Sequence, residues 1–254
     1  MRTRTHPSAQ GLTDAGIAFE SFDELYERCR SYDTLVKAIV RELRRMGKTE
    51  NVCYCVDGSP AEDRAAQALM KYRSTVVIGG VSKAAAAAEK AGLGDYLALS
   101  AYDVAGAKLS LPLVVYDLAE PSLAGDVKLA LADAFGDEAP AYFVRGGKVK
   151  KIELFEADRQ WDYDATCALA VPDIPLLEKK RFDLNDFLAI LRRLRAPDGC
   201  PWDRVQTHQS IRINAIEEAY ELVDAIDADD PAKMCEEAGD VIMQAAFHTL
   251  IEEE

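Results

Sequence analysis

Long apolar runs are missing from this sequence. No stretch reaches the ~18 consecutive apolar residues that span a bilayer. The opening Met1-Arg2-Thr3-Arg4-Thr5-His6-Pro7 carries charge with no apolar run behind it, which excludes a signal peptide and predicts a cytoplasmic protein without a membrane partner. Cysteine is sparse. The six that occur, Cys29, Cys53, Cys55, Cys167, Cys200 and Cys235, form neither a CxxC pair nor a dense framework, which fits a reducing compartment. Cys53 and Cys55, two apart in an extended run, are expected to be core thiols on one side of a strand. Positive charge is in deficit: 30 Lys and Arg against 44 Asp and Glu leave a formal net charge of -14. A broad electrostatic grip on DNA or RNA needs clustered Lys and Arg, so nucleic acid is excluded as a partner, while a small phosphate ester remains accessible through metal ions.

What is present is globular. Hydrophobic residues make up 49% and charged residues 29%, the balance of a chain that packs a core, and 254 residues accommodate two ordinary domains. From Ser21 to Lys48 the spacing of Phe22, Leu25, Leu35, Ile39 and Leu43 predicts helices with one apolar face. Short β-branched or aromatic runs then predict strands over Asn51–Val56, Thr75–Ile78, Leu111–Tyr116, Ala141–Val144 and Lys150–Leu154. Helical segments fall between several of them, over Ala61–Tyr72, Lys83–Ala91 and Ala124–Ala134, which implies an α/β layer structure over residues 1–164. Residues 165–182, with Pro172 and Pro175 and little periodicity, are expected to be a linker.

Residues 183–254 are expected to be all-α. Asp183 is placed to cap a helix to about Leu194, and Pro197, Gly199 and Pro201 mark a loop. A second helix fits Ile211–Asp227, and a third begins after Asp229-Asp230-Pro231, an acidic cap followed by proline. The third runs to Glu252-Glu253-Glu254 without a stop signal, so the sequence is expected to be truncated there.

The chemistry sits on the last two helices. Glu218 and Glu221 are three apart on one, Glu237 and Asp240 three apart on the next, so each pair projects from one side of its helix. Counted from Asp229, Glu221 and Glu237 are each eight residues away and Glu218 and Asp240 each eleven. Equal rises of ~1.5 Å per residue bring them level in an antiparallel pair. Val241, Ile242, Met243, Ala245, Ala246, Phe247, Leu250 and Ile251 surround the third helix on nearly every side, which predicts burial all round. Converging carboxylates repel one another unless protonated or bound to cations, and magnesium favours such oxygen ligands together with substrate phosphates. Glu217 is open between a fifth ligand, a general base and a surface residue.

Two resemblances accompany these readings. The stretch Leu194-Arg195-Ala196-Pro197-Asp198-Gly199-Cys200-Pro201-Trp202-Asp203, continuing through Gln206-Thr207-His208, resembles the opening motif of MazG nucleotide pyrophosphohydrolases. Glu217-Glu218-Ala219-Tyr220-Glu221 and Glu237-Ala238-Gly239-Asp240 resemble that family's EExxE and ExxD motifs. The resemblance implies hydrolysis of a nucleoside triphosphate to monophosphate and pyrophosphate, with Glu218, Glu221, Glu237 and Asp240 holding Mg2+ and Glu217 and Glu218 as the catalytic pair. It also implies a further helix beyond residue 254. Trp202 offers either a base-stacking surface, with Asp203 or Gln206 reading polar edges, or a packing anchor. Lys233, one turn before Glu237, either approaches phosphate or forms a helix-surface ion pair. His208 and His248 lack a zinc or catalytic spacing, and His248 is expected in the core or an interface. Apolar helix faces left exposed predict a homo-oligomer formed through the helical domain.

The front half resembles a tetrapyrrole methylase-like domain, on Arg4-Thr5-His6-Pro7, Phe22-Asp23-Glu24-Leu25-Tyr26, Asp57-Gly58-Ser59-Pro60, Gly80-Val81-Ser82 and Gly125-Asp126-Val127-Lys128. This implies a mixed sheet with helices on both faces and an S-adenosylmethionine site touching Gly58 and Gly80, for which simple turn geometry is the alternative. The family's opening strand and GxGPGD loop are absent from this sequence. S-adenosylmethionine-dependent methyl transfer by the front domain, and a purely binding or regulatory module, are the alternative readings of function.

Overall fold

The computed structural model describes residues 3, 4 and 7–254, so Thr5 and His6 of the Arg4–Pro7 likeness lie outside the described residues. The chain forms two compact units, Met1–Arg181 and Phe182–Glu254.

In the first unit, α1 (Pro7–Asp14), α2 (Asp23–Arg28) and α3 (Tyr32–Met46) precede α4 (Arg64–Met70) and α5 (Lys83–Ala91). Ser31 closes a capping box at α3, and the Ser82 hydroxyl accepts the Ala85 amide at the start of α5, so both helices begin where a hydroxyl side chain satisfies an orphan N–H. Leu35, Ile39 and Leu43 of α3 pack on Ala65 of α4 in a small core.

The main core is built on a five-stranded sheet. Its strands are β1 (Leu97–Ser100), β2 (Leu113–Tyr116), β3 (Pro140–Arg145), β4 (Lys148–Glu153) and β5 (Ala168–Val171), in the order β1-β2-β5-β3-β4. β1 and β2 are parallel and the other pairs antiparallel, so the sheet is mixed. Alternation sorts the side chains to two faces. Leu113, Val115, Phe143, Leu169 and Val171 meet Ala124, Val127 and Leu131 of α6 (Pro121–Phe135) on one face. Val114, Val144, Ala168 and Ala170 meet Ala84, Ala87 and Ala88 of α5 on the other. Alanine against alanine lets α5 lie close to the sheet, whereas the α6 side takes the branched residues. The expected α/β layering with helices on both faces is therefore present.

Four details differ from expectation. Asn51–Val56 and Thr75–Ile78 have strand composition but belong to no ladder, and Val76 and Ile78 are exposed. Accordingly Cys53 is exposed and Cys55 half-buried instead of core, while Cys167 is the buried thiol. The expected linker over 165–182 contains β5, the central strand, which pairs with both β2 and β3. All four β5 residues are buried, so it shows no polar alternation to read, and Pro172 ends the strand. β1, four residues long, also escaped the sequence reading.

The second unit is helical: α7 (Leu184–Arg195), a single turn α8 (His208–Ile211), α9 (Asn214–Asp227) and α10 (Pro231–Glu252). Asp183 caps α7 through a capping box, and Asp230 accepts the Ala232 and Lys233 amides ahead of Pro231, as expected. Asp229 adopts a left-handed φ of 52° in the short turn that folds α10 back antiparallel to α9. Leu191, Ile211, Phe247 and Leu250 form the core. α10 is not buried all round: its buried residues are Glu237, Gln244, Phe247 and Leu250, one stripe at helical spacing, while Ile242 on the other side is 53% exposed.

Candidate metal centre

The buried stripe of α10 changes character along its length. Phe247 and Leu250 are hydrocarbon, Gln244 is an amide, and one to two turns earlier Asp240 and Glu237 carry carboxylates on the same side. Across the seam, Glu218 is half-buried on α9. Each of Glu218, Glu237 and Asp240 offers an oxygen, and these lie within 4.8 Å of one another, with Glu237 only 4% exposed. Oxygens on opposite sides of a magnesium ion at ~2.1 Å are about 4.2 Å apart, and at a calcium-like ~2.4 Å about 4.8 Å apart. The spacing suits a hard divalent cation.

The electrostatics point the same way. The Glu218 carboxyl is pushed above its ordinary range by partial burial and then by the charges of Asp240, Glu221 and Glu217, with the polar Gln244 side chain acting in the other direction. Burial likewise raises Glu237, followed by Glu221; Lys233 opposes this, and Glu236 and Asp240 add to it. Lys233 Nζ is 3.8 Å from Glu237 Oε1 and half exposed, too distant for a strong compensating bond. Three crowded carboxylates with one peripheral ammonium are relieved by a proton or by a cation. Glu221, the fourth expected ligand, is exposed and outside the triad, although its charge is felt by both Glu218 and Glu237. Glu217 is exposed beside Glu218.

The loop after α7 lies elsewhere. Arg195, its side chain 4% exposed, grips both carboxylate oxygens of Glu254 at 2.6 and 2.7 Å and donates to the Asp203 and Gln206 carbonyls at 2.9 and 3.3 Å. Glu254 is fourteen residues beyond Asp240, roughly 20 Å along the helix at ~1.5 Å per residue. The structure therefore fastens the backbone at Asp203 and Gln206 to the far end of α10. Gln206 spends its amide on the Trp202 carbonyl and the Ser210 hydroxyl, while Trp202 is 59% exposed. Within one chain these residues are not brought to the carboxylate triad. A cavity of about 610 Å³ lined by Arg192, Arg195, Arg204 and Leu250 is at this far end too. His208 and His248 stack there, rings 4° from parallel and Nδ1 atoms 2.8 Å apart, and His208 Nε2 is 2.8 Å from Glu252 Oε1. A separation of forty residues gave no sequence signal for that pair.

The MazG nucleotide pyrophosphohydrolase domain matches residues 206–254, the stretch that holds all three converging carboxylates. The helical unit carries a MazG domain. Over 70 residues this chain is 48% identical to the nucleoside triphosphate pyrophosphohydrolase/pyrophosphatase MazG of Thermotoga maritima, covering 28% of each protein. Over 72 residues it is 39% identical to the nucleoside triphosphate pyrophosphohydrolase of Escherichia coli K12, covering 28% of this chain and 27% of that one. The uncharacterized protein YabN of Bacillus subtilis aligns with the whole chain at 31% identity over 275 positions, so this chain spans 55% of its length.

Outside the MazG domain, Gly58 and Gly80 sit in turns that press together. A Cβ on Gly80 would lie 2.1 Å from the Gly58 carbonyl oxygen, and Gly58 has a φ of +77°. Close approach of the two turns thus accounts for both glycines. Beside them Glu62 accepts from the Ser82 hydroxyl and the Lys83 and Ala84 amides, and Lys83 pairs with buried Asp117. Sequence reasoning missed Gln244. Its signal is its place one turn beyond Asp240 on the same face.

Proposed function

We propose that the MazG domain hydrolyses nucleoside triphosphates to nucleoside monophosphate and pyrophosphate, with Mg2+ held by Glu218, Glu237 and Asp240 and with Glu221 completing the set from the rim. The observation that carries this reading is the convergence of three carboxylate oxygens within 4.8 Å, one of them from the buried Glu237 of α10. Bound magnesium supplies charge neutralisation for the triphosphate and a water acidified for in-line attack. The chain's own residues do the rest. The buried carboxylates fix position, exposed Glu217 beside Glu218 is available to take the proton of the attacking water, and Lys233, half exposed at the rim, is available to a phosphate oxygen. Self-association through α9 is part of the same reading. Ile213, Ile216, Tyr220, Val223 and Ile226 recur at helical spacing and are all exposed, a surface apolar enough to be covered by a second copy. Base contacts from Trp202, Asp203 and Gln206 would then serve a site other than the one on their own chain.

The test uses the full chain with Mg2+ and a panel of nucleoside triphosphates, with products separated by ion exchange. Pyrophosphate and monophosphate are expected. Because partners one step removed from a metal already cost ~10–100-fold when mutated, Glu237→Gln and Asp240→Asn are each expected to lose more than ~100-fold in rate while keeping the helical spectrum. Parental rates in those variants, or orthophosphate as product, would refute the assignment. S-adenosylmethionine binding by the first unit is measured separately by calorimetry. The Gly58–Gly80 contact makes no heat of binding the expected result.

A further inference from the structure

His208 of α8 and His248 of α10 meet nitrogen to nitrogen, with their Nδ1 atoms 2.8 Å apart. A contact of that length holds a single hydrogen, because one nitrogen must donate it and the other accept. The far side of His208 fixes the arrangement. Its Nε2 is 2.8 Å from Glu252 Oε1, and an ionised carboxylate only accepts, so Nε2 carries a hydrogen there. In the neutral pair His208 Nδ1 is therefore the acceptor and His248 Nδ1 the donor.

Acid acts on this pair in two steps. A first extra proton enters at His248 Nε2, which makes no hydrogen bond among the described residues. One hydrogen still lies between the Nδ1 atoms, whichever ring holds the charge, and the bond becomes charge-assisted. A second extra proton leaves an N–H on both Nδ1 atoms. Two donors then face each other and the rings part. The neighbouring charges do not substitute for the lost bond: Arg195 and Arg192 of α7 are held by Glu254 and Glu253, Asp203 meets Arg195 through its carbonyl, and Arg212 is exposed after α8. Among the described residues, Glu252 is the one charged group hydrogen-bonded to either ring.

We infer that the His208–His248 pair is an acid-opened latch between α8 and α10, which holds through the first extra proton and releases at the second. Gln206 and the cap residue Thr207 lead directly into His208, so the latch and the Arg195–Glu254 pair are two ties from this loop to the end of α10. Acid undoes the first and leaves the second, while Ile211 remains in the core. The start of α8 and the Trp202–Gln206 loop loosen without loss of the helical hairpin. The inference does not depend on the metal site.

The experiment takes the full chain, metal-free, from about pH 8 to about pH 5, the range in which imidazole gains its proton. Nitrogen-15 NMR of the histidine rings counts the protons on the pair. Amide hydrogen exchange at Ser210 and Ile211, corrected for its intrinsic pH dependence, reads the attachment of α8. Exchange is expected to stay level through the first proton and to rise about tenfold with the second, the size of one lost charge-assisted hydrogen bond. His248→Phe has no nitrogen to share, so its α8 amides are expected to exchange at the fast rate at both ends of the range, with no acid step. Should it fail to fold, His208→Phe, at a partly exposed position outside the core, is expected to behave in the same way. Parental exchange that is level throughout, that rises with the first proton, or that shows an acid step of equal size in the foldable variant overturns the inference.

Discussion

Glu218 and Glu237 both have carboxyl groups raised above the ordinary value of 4.5 by burial first and neighbouring charge second. A raised folded-state value means that their contribution to stability is fully present below the unfolded value and is lost as pH rises through the folded one. Without metal, therefore, these two groups favour the folded protein in acid and oppose it near neutrality. A cation reverses the sign, since it binds only the ionised forms. The increase in melting temperature caused by millimolar Mg2+ is expected to be small at about pH 5 and larger at about pH 8, and to be absent at both in Glu237→Gln. A pH-independent increase would contradict the site. The levels of the four expected acids were legible, because residues equally spaced from a tight turn return at equal height. That Glu221 alone of the four would stay outside was not. Residues three apart differ by about 60° around the helix, and the residue of α9 that is buried is Ala225, not an acid.

At the scale of elements, long periodic helices were read to within a few residues, as Lys83–Ala91 and the start at Asp230-Pro231 illustrate. Short strands were not. β1 and β5 have four residues each, and β5 is buried on both faces, so neither alternation nor length distinguishes it from a loop. The converse error came from Asn51–Val56 and Thr75–Ile78, where β-branched composition was present and a pairing partner was not. Composition describes what a segment tolerates, whereas a ladder needs a neighbour. The importance of β5 can be measured. Leu169, fully buried and paired to both Val115 and Phe143, is expected to cost ~2–5 kcal/mol when replaced by alanine, read as a lower denaturant midpoint with unchanged slope. A loss under about 1 kcal/mol would mean that the strand is peripheral.

Across the whole molecule, a formal charge of -14 opposes the approach of a polyanion. Attraction at the proposed site comes from a cation held by three carboxylates, not from an arginine field. Added monovalent salt therefore screens a net repulsion. Between about 50 and about 200 mM KCl the KM for a magnesium–nucleotide complex is expected to stay level or fall, at fixed free Mg2+. A rise of several-fold would instead indicate a basic surface guiding the substrate. The two-domain organisation was legible from the change of period near residue 160. The second unit starts at Phe182, one residue from the expected 183, and only the tether fails, since Pro172 and Pro175 follow the end of a central strand.

Glu237 occupies a position that a folding sequence would give to leucine. A methionine or leucine there would complete the row that Gln244, Phe247 and Leu250 begin, and would remove a confined negative charge. Random mutagenesis followed by selection for heat tolerance alone should therefore find this codon early, and the survivors should be inert. On the proposed function, the helical hairpin gives up durability at this one spot for the cation that it would hold.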